Sequence, residues 1–142
     1  MTAIAIDTLL HIHTATHDVL KGYREMVARA QPDVESVIRR LTEMHERHAA
    51  EQHAELLRLR EAHEDGASLQ GTVNKVVVIL RDWLSNVDLD VLPAVRDGEE
   101  SLRDEYDKAL GDEAAADAPA ISALLRKQRG EISDQIALLP KE

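Results

Sequence analysis

The chain has no cysteine and no phenylalanine, and only one tryptophan and two tyrosines among 142 residues. Without cysteine there is no disulfide framework, no thiolate metal site and no cysteine nucleophile. That composition fits a reducing compartment. The scarcity of aromatics removes any platform on which bases could stack, and it leaves Leu, Ile, Val and Ala to build the core. Positive charge is also short: the formal net charge is −10 with histidine neutral. Such a surface repels phosphates, so nucleic acid is not an expected partner. The longest apolar run, Val76 to Leu80, is far too short to span a membrane. The opening MTAIAIDTLL has no basic stretch and carries Asp7, so it does not read as a signal peptide. The expectation is a cytoplasmic protein. Gly66, Gly71, Gly98, Gly111 and Gly130 are isolated and no phosphate-loop motif occurs. The serines lack a glycine-rich elbow, and no catalytic residue is assigned. Charged runs such as RLREAHED read as solvated helix faces.

What is present is helical periodicity, and no segment alternates with period two. From about residue 4 to 30, Ile6, Leu9, Leu10, His13, His17, Leu20, Tyr23 and Val27 recur at steps of three and four. Gln31-Pro32-Asp33 breaks the pattern, with Pro placed where a helix start tolerates it. A second stripe over about 33–64 runs Val34, Val37, Ile38, Leu41, His45, His48, Gln52, Glu55 and Leu59. Ser68 can cap a segment over 69–85, and Ser85-Asn86-Val87-Asp88 reads as a break. Helix resumes near 90 with Leu92, Val95, Glu99, Leu102, Tyr106 and Ala109, and Gly111 suits its C-terminal cap. Asp117 can cap the last helix, which has Pro119 in its first turn and carries Ile121, Leu124, Leu125, Gln128, Ile132, Gln135 and Leu139. One domain over residues 1–142 follows: an all-α, antiparallel four-helix bundle of two helical hairpins joined by a long helical crossover.

Each apolar stripe fails near its middle. His13 and His17 interrupt the first, His45, His48 and Gln52 the second, Glu99 the third, and Gln128 with Glu131 beside it the fourth. If each hairpin is folded at the centre of its turn, His17 falls level with His45, and His13 with His48. Glu99 falls level with the span from Gln128 to Glu131, all to within roughly 3 Å at ~1.5 Å per residue. Burying such groups costs free energy unless they are paired or coordinated. Iron, manganese or zinc suits an imidazole and carboxylate set. A hydrogen-bonded polar layer without metal, or helices turned so that these groups reach water, would also satisfy them.

The stretch DGEESLRDEY, 97–106, sets Glu99 seven residues before Tyr106. With LKGYREM at 20–26, ERHAAEQHAELLRLR at 46–60 and RDWL at 81–84, nearly the whole chain resembles an uncharacterised bacterial ferritin-like four-helix domain family of unknown function, associated with stress-response proteins. The resemblance implies a ferritin-like bundle in which Glu99 binds metal and Tyr106 stands beside it. The polar groups that interrupt the four stripes supply the metal-site candidates His13, His17, His45, His48, Glu99, Gln128 and Glu131, with Glu99 and His48 as direct ligands. The departures are specific. A di-iron bundle takes a Glu from two helices and Glu-x-x-His from the other two. Here Thr16 stands seven before Tyr23, the second helix offers His45-x-x-His48 and His48-x-x-Glu51, and the fourth offers Gln128 and Glu131. That points to a rearranged or lost centre rather than a standard ferroxidase. A metal-free bundle that acts by association is the alternative, its polar layer fixing helix register. Hemerythrin-like oxygen binding is excluded because no histidine follows His63. The segment 69–85 is apolar on more than one face, with Val78, Ile79 and Trp83 off its main stripe, which favours a two-fold homodimer.

Overall fold

The computed structural model describes residues 3–62, 91–111 and 118–140. These form four helices: α1 (Ala3–Val27), α2 (Pro32–Ala62), α3 (Leu92–Leu110) and α4 (Pro119–Ala137). There is no strand among the described residues, which are all-helical and pack as a four-helix bundle. None of these helices is long and apolar enough to cross a membrane. The segment 69–85, Ser68 and Asp117 lie outside the described residues.

Side-chain contacts fix the helix directions. On α1 and α2, His13 meets Gln52 and Arg24 meets Glu46. Residue numbers rise on one helix as they fall on the other, so the pair is antiparallel. The same holds for α3 against α4, where Arg103 meets Ser133 and Asp107 meets Arg129, and for α2 against α4, where Arg40 meets Gln135 and Arg47 meets Glu131. Across the diagonal, His45 meets Glu99 and Gln52 meets Tyr106. Both numbers rise together there, so α2 and α3 are parallel. The end of α2 and the start of α3 therefore lie at opposite ends of the bundle.

The core follows from the stripes. Leu9, Ile12, Val19, Ile38, Leu41, Val95, Leu102, Ile121, Leu125 and Ile132 are all buried, and Tyr23, Tyr106 and Met26 supply the bulk that phenylalanine would otherwise give. Local signals set the ends. Asp33 Oδ1 accepts from the Val34 N–H in the first turn of α2. Gly111 caps α3, its N–H donating to Asp107 O, with φ −83°, so the left-handed conformation is not used. The cap of α4 is Ala118, which makes no side-chain capping bond, and Pro119 opens the helix. At the other end of α4, Arg96 Nη1 reaches across from α3 to the carbonyls of Ile136 and Leu139, 2.8 Å each.

Candidate functional site

Two polar layers cross the core, and three helices contribute to both at a spacing of seven residues: Thr16 and Tyr23 on α1, His45 and Gln52 on α2, Glu99 and Tyr106 on α3. Seven residues are two helical turns, so each pair stays on the inner face while moving about 10 Å along the bundle.

The first layer centres on Glu99, which is fully buried. His45 Nε2 lies 2.8 and 3.1 Å from its two oxygens, and the Tyr23 hydroxyl donates to Oε2. Burial and the adjacent Glu99 push the Tyr23 phenol well above its ordinary pKa, so Tyr23 is a proton donor to this carboxylate at any ordinary pH. His48 sits one turn along α2 from His45, the ring centroids 5.9 Å apart. Its Nε2 is 3.4 Å from Glu131 Oε2. Burial, helped by the nearby His45, lowers its pKa to about 4 against the pull of Glu131, so His48 is neutral at pH 7. Three buried nitrogens in this layer have no hydrogen-bond partner: His45 Nδ1, His48 Nδ1 and His48 Nε2. Each such atom costs ~1–3 kcal/mol unless something satisfies it. Glu131 also faces outward. It pairs with Arg47 and lines an open cleft of about 340 Å³ between α2 and α4, with Arg40, Glu43, Met44 and Asp134.

The second layer is fully hydrogen-bonded. Lys127 Nζ donates to Glu51 Oε2 at 2.7 Å, and Gln128 Nε2 donates to Glu51 Oε1 and to the His48 carbonyl. Partial burial would raise the Glu51 pKa, but the bonds from Lys127 and Gln128 outweigh it and the net shift is downward. With its nitrogen so committed, Gln128 presents Oε1 to Gln52 Nε2 (2.9 Å) and to the Tyr106 hydroxyl (2.9 Å). Gln52 Nε2 also lies 3.1 Å from Thr16 Oγ1 and 3.0 Å from the Tyr106 oxygen, and its own Oε1 accepts from His13 Nδ1 at 2.9 Å.

The sequence-derived candidates thus separate. His45, His48, Glu99 and Glu131 come together between α2, α3 and α4. Gln128 belongs to the amide layer, and His13 touches that layer from the rim. His17 is exposed and touches His13, not Glu99. The tyrosine on Glu99 is Tyr23 rather than Tyr106. The expected level pairing of His13 with His48 is also corrected, since His13 meets Gln52, one turn further from the connection. Cα–Cβ bonds lean toward the N-terminus of their own helix. In an antiparallel pair, α1 side chains lean away from the turn and α2 side chains lean toward it. Partners therefore lie further from the turn on α2 than on α1, and Tyr106 with Gln128 repeats the offset on α3 and α4. Thr16, Tyr23 and Glu51 were missed as site residues. The repeated spacing of seven would have picked out the first two.

Among the described residues no group of three or more His, Asp or Glu side chains has its donors set to hold an ion. Neither the curated proteins nor the solved structures contain a match to this chain. Residues 4–112 do match one family model, and on that span, which carries α1, α2, α3 and both tyrosines of the layers, the chain belongs to the family described as Domain of unknown function (DUF2383).

Proposed function

We propose that this chain is a ferritin-like bundle domain that holds one divalent transition-metal ion in the first polar layer, bound by His45, His48, Glu99 and Glu131. The observation that carries this reading is that His45 and His48 each bury a ring nitrogen with no hydrogen-bond partner. A metal ion takes up imidazole lone pairs directly, and imidazole with carboxylate suits iron, manganese or zinc. His48 is already neutral, the form a ligand requires. The ferritin-like assignment draws support from the parallel α2 and α3, and from a buried Glu–Tyr pair at the bundle centre. A two-ion centre is disfavoured by chemistry: Thr16, Gln52 and Gln128 fill the second layer and spend their polar atoms on one another. The set His13, His17 and Gln128 is accordingly left out of this ion's ligands.

Binding of manganese(II), iron(II) and zinc(II) to the untagged protein, measured by calorimetry, tests the proposal. His48→Ala and Glu99→Ala should each weaken the core ion by well over tenfold, whereas Glu46→Ala, on an exposed face, should not. Equal affinities in all of these would remove the reading. The second reading, a metal-free bundle acting by association, is favoured by the lack of converged donors among the described residues, and it stands if the parent protein binds none of the three ions. Self-association through residues 69–85 belongs with either reading. Its support is the apolar sequence of that segment, and Ile79→Lys should shift a dimer toward folded monomer in light scattering.

A further inference from the structure

The amide layer ends at the rim of the bundle in a group of histidines that the core does not use. His13 and His17 lie four residues apart on α1, the spacing that puts two side chains on one helix face. Their Nε2 atoms are 3.2 Å apart. Two nitrogens held ~2.0–2.1 Å from one tetrahedral ion stand roughly 3.3 Å from each other, so this pair already has the bite of a chelate. His53, on α2, is exposed and stacks beside His13 with ring centroids 6.3 Å apart.

The hydrogen-bond chain sets the tautomer. Glu51 and the His48 carbonyl accept only, so Gln128 must present nitrogen to them and oxygen to Gln52. Gln52 therefore turns its own oxygen to His13, and His13 Nδ1 must be the donor. Neutral His13 then carries its lone pair on Nε2, aimed at His17. Fixing an imidazole by a bond from its far N–H to a carbonyl is how metal-binding histidines are commonly oriented. The His17 Nε2–H then donates into that lone pair. An ion takes the place of that proton, which His17 can carry on Nδ1 toward solvent instead.

We propose that His13 and His17 form a solvent-facing site for a borderline divalent ion such as zinc(II), nickel(II) or copper(II), completed by water and by His53 turning in from α2, with Gln52 as the positioning residue. The proposal does not depend on an ion in the first layer. Zinc(II) titrated into the untagged full chain at pH 7.5 tests it by calorimetry. His17 is exposed, so His17→Ala should keep its helical circular dichroism. It should lose one zinc equivalent relative to the parent, and His48→Gln should retain that equivalent. Gln52→Leu should weaken it by about tenfold, the usual scale for a residue that orients a ligand. If His17→Ala binds zinc as the parent does, or if the parent binds no zinc, the site is overturned. If zinc is lost in His48→Gln but kept in His17→Ala, only the core reading stands.

Discussion

At the residue scale, the determining fact is how each buried polar atom is satisfied. Glu99 has two donors aimed at it, and Tyr23 is one of them. Tyr23→Phe removes that donor while keeping the ring that fills the core. A hydrogen bond to a charged group contributes ~1.5–3 kcal/mol, so urea unfolding should show a loss of roughly 2 kcal/mol. A change within a few tenths would mean Glu99 is satisfied without Tyr23. His48 makes the opposite kind of contribution. Its folded pKa of about 4 lies below its unfolded value of 6.5. Above pH 6.5 neither state binds the proton. Between pH 6.5 and 4 the unfolded chain takes it up and the native protein does not, so stability falls as pH falls through that window and the loss levels off below it. Full titration would cost up to roughly 3 kcal/mol. The groups facing His48 are His45 from its own helix and Glu131 from α4, with Arg47 beside Glu131. In chelator, the stability difference between the parent and His48→Leu should therefore move against the parent from pH 7 to pH 4.5. A pH-independent difference would refute the assignment.

At the element scale, the helices were legible because nothing in the sequence competes with the three-to-four periodicity. The first expectation, 4–30, meets a helix at Ala3–Val27, and 33–64 meets Pro32–Ala62. Leu9, Ile38, Val95 and Ile132 lie inside, as their stripes require. The positions where the stripes fail were legible for the same reason: His45, His48, Gln52, Glu99 and Gln128 are fully buried. What could not be read was which polar group meets which. That depends on the lean of Cα–Cβ bonds and on helix height, and neither leaves a mark in periodicity. His17 shows the limit from the other side. It falls on the apolar spacing, yet the exposed edge of a stripe and its buried centre share one spacing. Gly130 gives the element-scale prediction. It lies in mid-α4, exposed, and a Cβ there would meet nothing within 4 Å. Glycine costs ~0.5–1 kcal/mol relative to alanine inside a helix. Gly130→Ala should raise stability by about that amount, and a Tm that falls instead would mean that α4 does not run straight through this position.

At the scale of the whole molecule, the two proposed ion sites would make the bundle's stability depend on bound ligand. An ion that binds the native state and not the unfolded chain stabilises by RT ln(1 + [L]/Kd), about 2.7 kcal/mol at one hundred times Kd. For a chain of this size, each kcal/mol moves Tm by roughly 2–4 °C or somewhat more. Zinc(II) at such an excess over chelated protein should therefore raise Tm by several degrees. The two proposed sites separate in this measurement. His48→Gln should lose the part of the shift due to the first layer, and His17→Ala the part due to the rim. The double variant should lose all of it, because both ions would then lack an imidazole that nothing nearby replaces. His45 is already one of the ligands proposed for the first ion, and His11 is paired with Glu105. A zinc-induced shift that survives in the double variant would place the bound ion elsewhere on the chain and would remove both proposed sites from its coordination.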